Sequence, residues 1–191
     1  LDRQPQPSPD GKSLAFTSDR QGSDEIFLLD LEDPQAQPQR LTWDQGHNCS
    51  PNWSPDGKHL VFASRRNGQS DLYTLEIASG QQTRLTASDE EEVDPQWSPD
   101  GKLILFQTVE GRYREGRLGT LELASGQRTM LGHLGGSLHQ ANWSPRGDSI
   151  VYLDYRSGRQ PSSPALTRYS LADENEVTLQ VIRRGLIPWH W

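Results

Sequence analysis

Trp53-Ser54-Pro55-Asp56-Gly57-Lys58 is one of four versions of the same six residues. The others are Pro7-Ser8-Pro9-Asp10-Gly11-Lys12, Trp97-Ser98-Pro99-Asp100-Gly101-Lys102 and Trp143-Ser144-Pro145-Arg146-Gly147-Asp148. Their serines stand at 8, 54, 98 and 144, so the intervals are 46, 44 and 46. A fixed period of this size decides the architecture before any local reading. Each version reads as a tight reversal. Proline fixes φ at the second turn position, aspartate can bond nearby backbone, and glycine takes the positive φ that ends the turn. The runs Leu60-Val61-Phe62, Leu103-Ile104-Leu105-Phe106 and Ile150-Val151-Tyr152 follow. They are rich in strand formers, so each copy reads as the hairpin between two strands.

Working outward, each period holds four short strands separated by turns. In the first copy Leu14-Ala15-Phe16-Thr17 follows the hairpin, Glu25 to Leu31 forms the third strand and Arg40-Leu41-Thr42 the last. In the second, His59 to Ala63 precedes a turn at residues 65–68, and Leu72 to Ile77 and Thr83-Arg84-Leu85-Thr86 complete the unit. The third copy has a middle turn two residues longer, and the fourth is the most eroded, with Gln160-Pro161-Ser162-Ser163-Pro164 lengthening its middle turn. Four strands per period of this length are the signature of a β-propeller blade. One such sheet cannot bury both faces alone, but stacked sheets can. The expectation is therefore an all-β chain, a β-propeller of four-stranded antiparallel blades, four of them readable at 1–43, 44–86, 87–131 and 132–181. Trp53, Trp97 and Trp143 then pack between blades. The segment 182–191, ending in Pro188-Trp189-His190-Trp191, resembles the stretches before the other hairpins and reads as the first strand of a fifth unit or as a strand closing the ring.

Composition narrows the partners. The chain has 191 residues, 17 Gly, 13 Pro and a net charge of −7. Phosphate binding needs a basic face, so nucleic acid is not the expected partner. No stretch approaches the length of a membrane span. The single Cys49 excludes an intrachain disulfide and reads as a small buried residue on a strand.

The pattern Pro-x-Trp-Ser-Pro-Asp-Gly-Lys, a hydrophobic strand, Ser-x-Arg-x-Gly and Leu-Thr resembles the TolB-type propeller repeat over essentially the whole chain. Ser18, Arg20 and Gly22 carry its middle part in the first copy, and Ser64, Arg66 and Gly68 in the second. The resemblance implies two settings. One is a non-catalytic, periplasmic adaptor that binds lipoprotein and other protein partners. The other is the propeller that gates substrate entry in prolyl-oligopeptidase-type hydrolases. Such propellers commonly have six blades, so a self-associating repeat array is a third reading.

The residues themselves argue against catalysis. A nucleophile elbow needs Gly-x-Ser-x-Gly, which the chain lacks. Gly135-Gly136-Ser137 with His139 lacks the second glycine and reads as a connecting loop. The histidines at 47, 59, 133, 139 and 190 have no metal-ligand spacing, so neither a metal nor another cofactor is expected. The run Asp89-Glu90-Glu91-Glu92 with Asp94 reads as a solvated loop, or more sharply as an acidic rim that attracts a basic segment. Shared hairpins make a poor unique site, so function is expected where the copies differ. His47, Asn48, Glu92, Asp94 and His139, before or at the first strand of a unit, are the candidate contacts for a protein or peptide partner.

Overall fold

In the computed structural model residues 1–44, 46–109, 116–131, 138–154 and 165–181 are described, with the side chains of 138, 139, 180 and 181 outside that description. The anticipated fifth-unit strand at 182–191, the Gly135-Gly136-Ser137 loop and the long turns of the third and fourth units lie outside the described residues.

Sixteen strands among these residues form four antiparallel sheets, each in sequential order. The first contains β1 (Asp2–Pro7), β2 (Ser13–Ser18), β3 (Glu25–Asp30) and β4 (Gln39–Arg40). The second contains β5 (Cys49–Trp53), β6 (His59–Asn67), β7 (Gln69–Glu76) and β8 (Gln82–Arg84). The third contains β9 (Glu91–Trp97), β10 (Leu103–Val109), β11 (Leu118–Glu122) and β12 (Arg128–Met130). The fourth contains β13 (Leu138–Trp143), β14 (Ser149–Asp154), β15 (Ala165–Ser170) and β16 (Asn175–Val181). These are the blades of an all-β propeller.

The hairpin between the first two strands is built the same way in three blades. Ser54 Oγ donates to Asp56 Oδ1 at 2.6 Å and accepts from the His59 amide at 2.9 Å. Lys58 N donates to the same aspartate oxygen, and Gly57 N donates to Ser54 O. The corresponding serine–aspartate bonds are 2.6 Å at Ser8–Asp10 and 2.7 Å at Ser98–Asp100. Gly57 has a φ of 69°, which a Cβ would resist. In the fourth blade Arg146 occupies the aspartate position, and Ser144 Oγ bonds Asp148 instead, at 2.7 Å.

Alternation along each second strand packs both sheet faces. Leu60 and Phe62 face the first blade with Ala15, Ile26 and Trp53, whereas Val61 joins Leu72, Ile104 and Phe106 toward the third. Leu105 and Leu118 then join Ile150, Tyr152 and Tyr169 of the fourth blade. Trp53 is buried in the first of these seams, and its indole N–H donates to Gln6 O of the preceding blade at 3.0 Å. Trp143 repeats this to Gln96 O at 3.4 Å. Trp53 and Trp143 are thus seam residues that carry a polar handle across the sheet boundary, whereas Trp97 packs in its seam with its indole nitrogen buried and without a hydrogen-bond partner.

One turn is tighter than the sequence suggests. β6 continues through Arg65 and Arg66, and Asn67 stands opposite Gln69, so the chain reverses around Gly68 alone. The side chain of Arg66 holds it there. Its Nε donates to Ser64 Oγ at 2.9 Å, and its guanidinium lies 4.1 Å from the Tyr73 ring centroid. Arg20 does the same over Phe16 and Phe27 in the first blade.

Candidate functional site

The first strand of every blade is interrupted by a bulge against the second. At each bulge one non-glycine residue has a positive φ: Gln4 at 53°, Ser50 at 55°, Asp94 at 50° and Gln140 at 54°. The left-handed region disfavours residues with a Cβ, so four repetitions mark a constraint built into the blade. The bulge swings these side chains toward one another. Gln4 Nε2 donates to Ser50 Oγ at 2.8 Å, and Ser50 N donates to Gln4 Oε1 at 2.9 Å. Ser50 Oγ in turn donates to Asp94 Oδ1 at 2.7 Å. A ladder of polar side chains therefore runs across the first strands of three blades. Thr17 Oγ1 steadies its first rung by donating to Gln4 Oε1.

These strands line a groove of about 330 Å³ that includes Gln140 of the fourth blade. Its polar lining is mostly amide, from Gln6, Asn52, Gln96, Gln107 and Asn142 among others, and Asp94 is the one charged residue in it among the described residues. Amides both donate and accept, so such a wall can pair with extended backbone of any sequence, while Asp94 adds a preference for a cation. Gln96 Nε2 is committed to Ala141 O at 2.6 Å and Asn52 Oδ1 to the Trp97 amide at 2.9 Å, which stiffens the wall.

The anticipated contact residues separate into two kinds. Asp94 is exposed in the groove, and His47 is exposed on the connection into β5, with φ 49° and its Nδ1 4.0 Å from Asp24 Oδ2. Asn48 and Glu92 are fully buried. Asn48 Nδ2 donates to Glu25 Oε2 at 2.7 Å and to Asp44 Oδ1 at 2.8 Å, and its carbonyl accepts from Arg66. Glu92 accepts from Ser88 and pairs with Arg128 at 2.8 Å. These two hold the seams rather than reach outward. His139 lies in β13 next to Gln140, and its side chain lies outside the described residues. Gln4, Ser50 and Gln140 went unnoticed in the sequence. The signal available was their register with Asp94: positions 4, 50, 94 and 140 repeat the intervals of 46, 44 and 46 shown by the hairpin serines.

The acidic run is largely neutralised. Glu90 pairs with Arg117 and Arg128, Glu91 with Arg65, and Glu92 with Arg128. Its carboxylates tie blade to blade and strand to strand, which leaves little free field for an incoming cation. Cys49 is partly buried, and burial pushes its thiol above the ordinary range, away from reactivity. Among the described residues no group of three or more His, Cys, Asp or Glu side chains converges as a metal site, and no helix is long and apolar enough to cross a membrane.

The TolB beta propeller domain model matches residues 1–183. The chain belongs to this family. Solved TolB structures share the fold of this TolB-type propeller. The TolB of Acinetobacter baumannii is 28% identical with a TM-score of 0.77, over 94% of this chain and 44% of that one. A putative TolB from Agrobacterium tumefaciens is 24% identical with a TM-score of 0.78, over 92% of this chain and 63% of that one. The chain thus spans less than two thirds of either protein. A puromycin-hydrolyzing peptidase of Mycobacterium tuberculosis matches at 18% identity and a TM-score of 0.70, over 97% of this chain and 30% of that one, a likeness of fold alone. A comparison with curated proteins returned no match.

Proposed function

We propose that this TolB-type propeller is a non-catalytic module that binds an extended segment of a protein partner along the groove between its first strands. The supporting observation is the ladder Gln4–Ser50–Asp94, held by left-handed bulges that recur in all four blades. Bulges that re-aim side chains cost backbone strain, and such strain concentrates where a chain contacts a ligand. Asp94 selects a basic residue in the segment, and the amides meet its backbone. His47, exposed on the connection into β5, extends the contact, and His139, in β13 beside Gln140, is a further candidate. Asn48 and Glu92 contribute by holding the connections in place. The family resemblance favours a periplasmic or other extracytoplasmic setting.

The test is selection from a displayed library of random peptides against the whole chain. The reading expects enriched peptides to carry Lys or Arg at a fixed position, and Asp94→Asn to weaken them about tenfold, the scale of one charge-assisted hydrogen bond, with an unchanged melting temperature. Peptides that bind equally well to Asp94→Asn and Ser50→Ala would sink the groove assignment. A hydrolase-gating role is separated from this one by the parent gene, where a Gly-x-Ser-x-Gly elbow would stand.

A further inference from the structure

The seam between blades two and three differs from the seam before it at one pair of side chains. Glu25 and Asp71 hold equivalent places, opposite Ser18 and Ser64 in their blades. Asn48 and Glu92 are also equivalent, each two residues before the left-handed residue of its first strand. In the earlier seam the two positions form an amide–carboxylate bond, Asn48 Nδ2 to Glu25 Oε2 at 2.7 Å. In the later seam both positions are acids.

Both acids are buried, Asp71 at 1% exposure and Glu92 at 0%. Each has one oxygen held by an arginine, Asp71 Oδ2 by Arg84 at 2.7 Å and Glu92 Oε1 by Arg128 at 2.8 Å. Ser88 Oγ also donates to Glu92 Oε1, at 3.1 Å. The remaining oxygens, Asp71 Oδ1 and Glu92 Oε2, are buried without a hydrogen-bond partner. Two unmet acceptors thus stand at the places where the earlier seam makes its amide–carboxylate bond, and buried polar groups are rarely left so.

We infer that Glu92 carries a proton here, with Glu92 Oε2–H donating to Asp71 Oδ1 as Asn48 donates to Glu25. The seam is thereby a proton-binding site that tightens on acidification. The surroundings agree. Burial pushes the Glu92 carboxyl above its ordinary range, Thr86, Arg128 and Ser88 oppose that rise, and the charge of Asp71 adds to it. Of the other charged groups of the seam, Glu90 pairs with Arg117 and Arg128 and Glu91 with Arg65, while Asp89 borders a cleft beside Asp71 and Arg84. Ser70 Oγ from β7 is spent on Glu92 O at 2.8 Å. A cation is the weaker occupant. The two carboxylates are already matched by two guanidiniums, and no third acid, His or Cys joins them among the described residues. A solvent-open cleft lined by Asn67, Asp71, Arg84 and Asp89 gives protons a path in.

The sign follows from linkage. A carboxyl whose native pKa is raised binds its proton more tightly when folded, so it weakens the fold as pH climbs through the native value. Glu92→Gln supplies a permanent amide donor at the same place. Its melting temperature should exceed that of the parent by a few degrees near pH 7, and the gap should close toward about pH 4, where the parent carries its own proton. Glu90→Gln, on the same connection, should show no such pattern. Carbon-13 NMR of the parent should show Glu92 titrating above the ordinary value of 4.5. Titration at or below that value, or a gap independent of pH, would overturn the proposal. So would added calcium that shifts the Glu92 resonance at neutral pH in the parent, since a cation would then occupy the site.

Discussion

Gly119 lies in register opposite Phe106, at the position where Phe27 faces Phe16 and Tyr73 faces Phe62 in the first two blades. Those blades stack two rings, 5.9 Å and 5.8 Å apart. The third blade has one ring, and it swings over the glycine. A Cβ at Gly119 would stand 2.5 Å from Phe106 Cζ and 3.0 Å from Met130 Sδ. Phe106 is fully buried between blades two and three. Gly119→Ala should therefore lower stability by about 1–3 kcal/mol through overpacking. Urea denaturation measures this, and adding Phe106→Leu to the variant should recover part of the loss. An unchanged midpoint would show that the ring can turn aside.

The hairpin serine is the second test. Ser54→Ala removes the bond to Asp56 and leaves the His59 amide without its acceptor. A loss of about 1 kcal/mol is expected, or roughly 2–4 °C in melting temperature for a chain of this size. The same contacts make the hairpins acid-sensitive. The serine hydroxyls, then the lysine amides, hold Asp10, Asp56 and Asp100 below their ordinary value of 3.8. A lowered native pKa means that the stabilisation is present above the ordinary value and is lost as pH falls through the native one. Asp56→Asn should make the stability curve shallower below about pH 4. An acid limb identical to that of the parent would show that the hairpin charge is irrelevant.

The period, the strands and the hairpins were legible because each rests on residues adjacent in sequence. Pro55, Asp56 and Gly57 define a turn by themselves, and Leu60-Val61-Phe62 can only follow it as a strand. The groove was half legible. Asp94 stood out as a charge, but Gln4, Ser50 and Gln140 are ordinary polar residues whose left-handed backbone no glycine announces. The buried state of Asn48 and Glu92 was not legible at all. Asp71 and Glu92 share a seam only because two sheets stack, and their arginines come from β8 and β12. A run of four acids looked like a surface loop because ion pairs with arginines 26 to 38 residues away leave no trace in local sequence.

Arg66 is the third test, because it does several things at once. Its Nε bonds Ser64, its Nη2 reaches Asn48 at 3.2 Å and Asp44 at 2.7 Å, and its plane covers Tyr73. Lysine has one charged tip and cannot make the fork and the stack together. Arg66→Lys should cost about 1–2 kcal/mol, more than an exposed pair and within the range for a partly desolvated stack. Arg20→Lys should cost less, because the Arg20 side chain is 33% exposed against 20% for Arg66. Equal losses by chemical denaturation would assign the effect to what both share, the serine bond, the aspartate pair and the stack, and leave nothing to the bond with Asn48.

Ser50 separates the strain of the groove from its chemistry. Its φ of 55° suits glycine and punishes a β-branched side chain most. Ser50→Val should destabilise the chain by about 1–3 kcal/mol, since it adds backbone strain and deletes the hydroxyl. Ser50→Gly frees the backbone but removes the hydroxyl that joins Gln4 to Asp94. Its melting temperature should stay nearer to that of the parent than the valine variant does. Its affinity for a groove-selected peptide should nevertheless fall, because Gln4 and Asp94 lose their common partner and the wall loosens. Measured side by side, the two variants dissociate fold from binding. Glycine matching the parent in both properties would mean that the ladder is an accident of the bulge, and the contact would then have to be sought at His47.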